Sequence, residues 1–153
     1  MENQPGVLAR VAGLFSGRGF NIECLTVAVT HEPDISRITL VTTGDQHIME
    51  QIIKQLNKLI NVIKVIDFGN IDFVEREMAL IKVRAEHHSR AEVLRIVDIF
   101  RAKVVDVSPS YYTIEVTGDE DKITAILELL GQIGISEVAR TGKVALMRSK
   151  KSK

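Results

Sequence analysis

Apolar and polar positions along this 153-residue chain switch between two periods. Val7, Leu8, Val11, Leu14 and Phe15 fall at i, i+1, i+4, i+7 and i+8, which is one face of a helix over residues 5–17. Pro5 suits its first turn, Asn3 or Gln4 its cap, and Gly17 and Gly19 its end. The period then becomes two. Leu25, Val27 and Val29 share one face of a strand, and Ile38, Leu40 and Thr42 share a face of the next. Residues 31–34, with Pro33, form the turn between them. Asp45 after Gly44 is an N-cap for a second helix, whose buried stripe is Ile48, Ile52, Leu56 and Leu59 or Ile60. Residues 62–68 are a further β-rich run. The first 68 residues therefore read α-β-β-α-β.

Residues 69–77, GNIDFVERE, mix charge with Gly and predict a connection. Beyond it the pattern predicts strand 78–84, helix 89–102, strands 103–108 and 111–118, helix 119–131 and strand 136–141. Ser108-Pro109-Ser110 marks a hairpin turn, and residues 144–147 form a last short apolar run. The two halves repeat. Thr39, Thr43, Gly44 and Asp45 match Thr113, Thr117, Gly118 and Asp119 at an offset of 74, kept by Ile52/Ile126 and Leu56/Leu130. The expected fold is α+β: two ferredoxin-like βαββαβ domains, residues 1–70 and 71–148, with a basic tail at 149–153.

The first half is one element short. Its opening strand, central in this topology, belongs before Asn3, where only Met1 and Glu2 stand. Without it the flanking strands expose unpaired backbone. The expectation is a start placed late, for instance by a GTG valine codon taken as the first Met. Units of about 70 residues are near the lower limit for a single core, so their edges favour a homo-oligomer.

Charge changes the picture little: 20 Lys and Arg balance 20 Asp and Glu. Four of the positive charges lie in the last six residues, RSKKSK, so the remainder is mildly acidic. That argues against attachment to nucleic acid or acidic lipid by bulk electrostatics. One cysteine excludes an internal disulfide and suits a reducing compartment. No apolar run approaches the roughly 20 residues that span a bilayer, and residues 1–10 contain no signal-peptide core. A soluble intracellular protein is the expectation.

Catalytic signatures are absent: no G-x-S-x-G, P-loop or H-E-x-x-H occurs. Gly17-Arg18-Gly19 follows a helix instead of opening one, so it reads as helix termination. His87-His88, and His31 with Glu32 and Asp34, read as solvated loops before metal sites. Cys24 reads as a small strand residue. Tyr111 and Tyr112 are adjacent on a strand and so face opposite ways, which does not make an RNA-stacking platform. The informative segment is residues 2–8, ENQPGVL. A helix N-terminus offers partner-less N–H groups with partial positive charge, and Gly6 lets a ligand approach closely. Gly6, Val7 and Leu8 would donate to a small carboxylate, and Asn3 would accept from an ammonium. On these residues alone a plain helix cap is the simpler description, and both stand.

Asn3-x-Pro5-Gly6-Val7-Leu8 resembles the loop that opens ACT domains, the small-molecule sensing modules of amino-acid metabolism. Its continuation to Val27, ARVAGLFSGRGFNIECLTV, is similar to the regulatory small subunit of acetolactate synthase (acetohydroxyacid synthase). Residues 74–77 (VERE), 99–102 (IFRA) and 104–112 (VVDVSPSYY) fit that family's second domain. Cys24 stands where a serine is common, and the family has a first strand ahead of Asn3. The resemblance implies an N-terminal ACT domain, an ACT-like C-terminal domain, and no catalytic site or cofactor in this chain. Thiamine diphosphate, Mg²⁺ and FAD would belong to a large catalytic subunit that joins 2-oxoacids on the route to valine, leucine and isoleucine. The small subunit would activate that partner and confer feedback inhibition by valine. It implies a homodimer or higher assembly, cytoplasmic in bacterial-type cells and plastidic in photosynthetic eukaryotes. Valine would bind between two copies, against Asn3, Pro5, Gly6, Val7 and Leu8 of one, and Asn21 and Ile22 of the other. A free-standing ACT-domain amino-acid sensor is the alternative.

Overall fold

The computed structural model describes residues 1–149. Its elements are α1 (Val7–Gly17), β1 (Ile22–Val29), β2 (Ser36–Thr42), α2 (Gln46–Leu56), β3 (Phe73–Arg84), α3 (Arg90–Ile99), β4 (Lys103–Val107), β5 (Tyr111–Gly118), α4 (Glu120–Ile133), β6 (Ile135–Arg140) and β7 (Val144–Met147). They form two compact units: residues 1–74 with the chain from Ala145, and residues 75–144. No helix among the described residues is long and apolar enough to cross a membrane.

The second unit holds a full ferredoxin-like sheet. Its order is β4-β5-β3-β6, and β3 is antiparallel to both of its neighbours on this path. Alternation along β3 sends Ala79, Ile81 and Val83 inward, each with no exposed surface. They meet Ile114 and Val116 of β5, Val93, Ile96 and Val97 of α3, and Ile123, Ile126 and Leu130 of α4. Each large apolar side chain buried here contributes about 1.5–3 kcal/mol. Tyr111 and Tyr112 do face opposite ways. Tyr112 packs on this core, while Lys82 Nζ lies 5.7 Å from the Tyr111 ring centre.

Glu77 is the one carboxylate among the buried residues of this unit, 3 % exposed. Arg140 grips both its oxygens, at 2.6 and 2.9 Å. That bidentate bond holds the carboxyl below its ordinary value of 4.5, against the opposing effect of burial. Because the folded value is the depressed one, the stabilisation is complete above pH 4.5 and is lost as pH falls through the folded value. Acid titration of unfolding should therefore show a fall in stability below pH 4.5. Glu77→Gln should flatten it, and an unchanged slope would place the acid sensitivity elsewhere.

In the first unit, α1 and α2 cover the two-stranded sheet β1-β2. Val11, Phe15 and Ile52 are buried, packed by Leu14, Phe20, Ile22, Ile38 and Leu40. The end of α1 explains Gly17-Arg18-Gly19. Gly19 is left-handed (φ 69), its N–H meets Ser16 O, and the Phe20 N–H reaches back to Phe15 O. The Phe15 and Phe20 rings then meet edge to face at 6.2 Å. This is a Schellman close with its apolar contact.

The repeat is physical as well as textual. Asp45 accepts from the Ile48 N–H at 2.9 Å, and Asp119 from the Lys122 N–H at 3.0 Å. A Cβ on Gly44 would lie 2.6 Å from Ile48, and one on Gly118 2.4 Å from Lys122. Each cap thus folds its helix's first turn over the preceding glycine, and a side chain there would have to displace Ile48 or Lys122. Asp119→Ala should cost about 0.5–2 kcal/mol in denaturant unfolding, and Asp45→Ala the same.

The structure corrects several sequence expectations. Residues 62–68 form no strand. A strand needs a ladder partner, and among the described residues Met1 and Glu2 alone reach the lane between β2 and residues 62–68. There the Met1 ammonium donates to Ser36 O, the Ser36 N–H to Met1 O, and the Glu2 N–H to Asn61 O, each at 2.9 Å. The rest of the lane is a cleft of about 530 Å³ between Ile38, Leu40, Ile52, Val65 and Phe68. In the second unit the same lane is filled by β3. The supposed connection 69–77 is strand from Phe73 onward, because β3 starts five residues early. α1 begins at Val7, with Gly6 as its N-cap in place of Asn3 or Gln4. Helix α3 ends at Ile99, short of Ala102: Arg101 is left-handed at φ 50 and terminates it. Of the expected tail at 149–153, all but the first residue lies outside the described residues.

Candidate functional site

Residues 2–8 form a braced loop that delivers the chain into α1. The Asn3 N–H donates to Asp34 O at 2.7 Å, and its Nδ2 donates to Pro33 O at 2.9 Å. Its Oδ1 accepts from the Ser36 hydroxyl at 3.0 Å, and Ser36 is itself buried. Asn3 therefore ties the loop to the β1–β2 turn, and its Oδ1 keeps one lone pair for another donor. Gln4 and Pro5 turn the chain, with the Val7 N–H directed at Gln4 O at 3.4 Å. Gly6 has φ 82, and a Cβ built there meets nothing within 4 Å. The left-handed residue and the open space beside it occur at the N-terminus of an 11-residue helix. The amides of its first turn have no intrahelical acceptor and carry the positive end of the helix dipole. The chemistry on offer is a cradle for one small anion.

The other expected site residues lie elsewhere in the chain. Val7 is buried, 2 % exposed, and its N–H is already turned to Gln4 O, so of the three expected donors it is the one with an acceptor in place. Leu8 faces solvent beside Gly6. Asn21 is exposed beyond the far end of α1, and its carbonyl accepts from the Thr42 hydroxyl at 2.5 Å. Ile22 begins β1 and packs against the first-unit core. Eleven helical residues span about 16 Å, so one copy does not bring its own loop and its own Asn21 together.

Asn61 escaped the sequence reading, and with it the hold it has on Glu2 and Arg10. Asn61 Nδ2 donates to Glu2 at 2.5 Å, and Arg10 donates to Asn61 Oδ1 at 2.6 Å. The available signal was Asn61 itself, the single polar residue within Leu59-Ile60-Asn61-Val62-Ile63. The histidines do not gather into a site. His31 lies 3.6 Å from Glu32 and His88 3.9 Å from Glu86, all on exposed loops. Among the described residues no three His, Cys, Asp or Glu side chains are grouped to hold a metal ion.

Comparison with known proteins decides the family. Residues 1–64 match the model of the AHAS small subunit-like ACT domain, and residues 76–149 that of the small subunit of acetolactate synthase. The chain belongs to the acetolactate synthase small-subunit family. It is 56 % identical over 151 residues to a probable acetolactate synthase small subunit of Archaeoglobus fulgidus, covering 99 % of this chain and 94 % of that one. To the small subunit of Aquifex aeolicus it is 58 % identical over 149 residues, 97 % of this chain and 78 % of the relative. The crystal structure of the acetolactate synthase small subunit of Thermotoga maritima superposes with a TM-score of 0.87. That pair is 45 % identical, over 97 % of this chain and 93 % of that one. The α+β architecture is therefore that of this small-subunit family, and the braced loop belongs to its ACT domain.

Proposed function

We propose that this small subunit binds valine between the ACT domains of two copies, and that it activates a catalytic subunit and makes it sensitive to valine. The observation that carries this reading is the loop at residues 3–8. Left-handed Gly6 leaves open space beside the start of α1, where the Leu8 amide has no intrahelical acceptor for a carboxylate to displace, while Asn3 Oδ1 keeps a lone pair for an ammonium. A free amino acid presents both charges on adjacent atoms. Asn21 and Ile22 of a second copy would complete the pocket, and Leu8 and Ile22 would wall an isopropyl group. One methylene in such a pocket discriminates by about 1–3 kcal/mol, so leucine and isoleucine would bind more weakly. Thiamine diphosphate, Mg²⁺ and FAD would reside in the catalytic subunit.

Inhibition follows only if valine prefers the assembly in which the catalytic subunit is slower, because equal affinity for both states shifts nothing. The test is reconstitution with the purified catalytic subunit, assayed for condensation of pyruvate with and without valine. Stimulation that valine reverses is the expected result. Valine binding with no stimulation would instead identify a free-standing amino-acid sensor, and absence of both would sink the reading.

A further inference from the structure

Glu2 is the first residue of the loop and Arg10 the fourth of the helix after it, and both are held by Asn61. The Glu2 N–H donates to the Asn61 carbonyl at 2.9 Å. The Asn61 amide donates back to the Glu2 carboxylate at 2.5 Å, and its Oδ1 takes the Arg10 guanidinium at 2.6 Å. Asn61 is not in the loop, nor in a helix or strand. It follows α2 by way of two tight turns, Lys58 N–H to Gln55 O at 3.2 Å and Leu59 N–H to Leu56 O at 3.1 Å. Its neighbour Val62 bonds back to Leu59 O at 3.0 Å and packs on the core.

We infer that Asn61 is the positioning residue of the effector loop. The inference rests on the valine-binding reading above. One amide group spans the loop from both sides, so the path of residues 3–8 between them is fixed from outside the loop. The cost of holding Gly6 left-handed at the start of α1 is then met before any ligand arrives. A bound carboxylate finds the donors already aimed, which is the ordinary advantage of a preorganised site. Charge makes the clamp stronger than a neutral one: Arg10 is cationic and Glu2 anionic, and hydrogen bonds to ionised groups are about twice as strong as neutral ones. The clamp also connects the loop to the turn segment that follows α2.

Two variants test this: Asn61→Ala, which removes both side-chain bonds, and Arg10→Met, which removes one and keeps an unbranched, exposed side chain. The full-length chain is used throughout. Valine affinity is measured by calorimetry, and amide exchange is followed in the ligand-free protein at Asn3 and Val7, whose N–H groups are hydrogen-bonded within the loop region. For Asn61→Ala the expected results are about tenfold weaker valine binding, the equivalent of about 1.4 kcal/mol, and exchange at Asn3 and Val7 about tenfold faster. The thermal midpoint should stay within a few degrees. Arg10→Met should show the same changes at smaller amplitude, and the double variant no more than Asn61→Ala alone. Unchanged exchange in both variants would overturn the clamp. Faster exchange with unchanged valine affinity would overturn the positioning role. If the wild-type chain itself binds no valine, the functional reading fails, while the exchange result still decides the clamp.

Discussion

Gly6→Asp is expected to abolish the response to valine. Two effects combine at this position. The residue is left-handed at φ 82, where an L side chain costs about 1–2 kcal/mol. The new carboxylate would project into the open space beside the first amides of α1, where the effector's own carboxylate would lie. Two like charges 4 Å apart repel by about 4 kcal/mol at an effective dielectric of 20, which is more than a hundredfold in affinity. Gly6→Asn separates the two effects. Asn and Asp enter the left-handed region more readily than other side chains, so the amide keeps the strain small and removes the charge. Partial loss with Asn and complete loss with Asp is the expected pattern, read as the valine concentration that halves the activity of the reconstituted enzyme. Stimulation measured without valine is the folding control. Wild-type sensitivity in Gly6→Asp would move the effector site away from this loop.

Phe15→Ala is expected to unfold the first unit at room temperature. Phe15 is 1 % exposed and touches Phe20 edge to face, and that contact closes the end of α1. Truncating a buried Phe costs about 3–5 kcal/mol. A single core in a unit of this size supplies about the same amount, so little stability would remain. The second unit has a larger buried cluster of its own, in which Ile81, Ile114, Ile123 and Leu130 have no exposed surface. Limited proteolysis should therefore cut within residues 1–74 of the variant and leave a resistant fragment over Glu75–Val144. Protection of both regions, or loss of both together, would contradict it.

Most of the architecture was legible because it is written in local chemistry. Asp45 and Asp119 cap their helices as their positions in the repeat imply, and the two-residue alternation of Ala79, Ile81 and Val83 marks the centre of the second sheet. What local patterns miss is the neighbour a segment requires. Residues 62–68 carry strand-forming side chains, yet a strand is a relation between two backbones, and among the described residues none forms a ladder with theirs. Phe73 to Glu77 show the reverse case. Their charges suggested a linker, but Glu77 is buried because Arg140, 63 residues away in sequence, completes it. At the loop, Gly6 stood out by residue type alone. The role of Asn3 as a brace to Pro33 and Ser36 did not, and neither did the hold of Asn61 on Glu2 and Arg10, because contacts over 30 to 59 residues leave no periodic trace.

The composition of β2 also bears on how the protein behaves while it is unfolded. Residues 38–42, ITLVT, are rich in β-branched side chains and carry no charge. Once the first unit opens, such a stretch templates intermolecular cross-β growth. Arg37 and Asp45, the nearest charges on either side, are its gatekeepers. Refolding from concentrated denaturant would accordingly lose most material at high salt, where the protection from those two charges is screened.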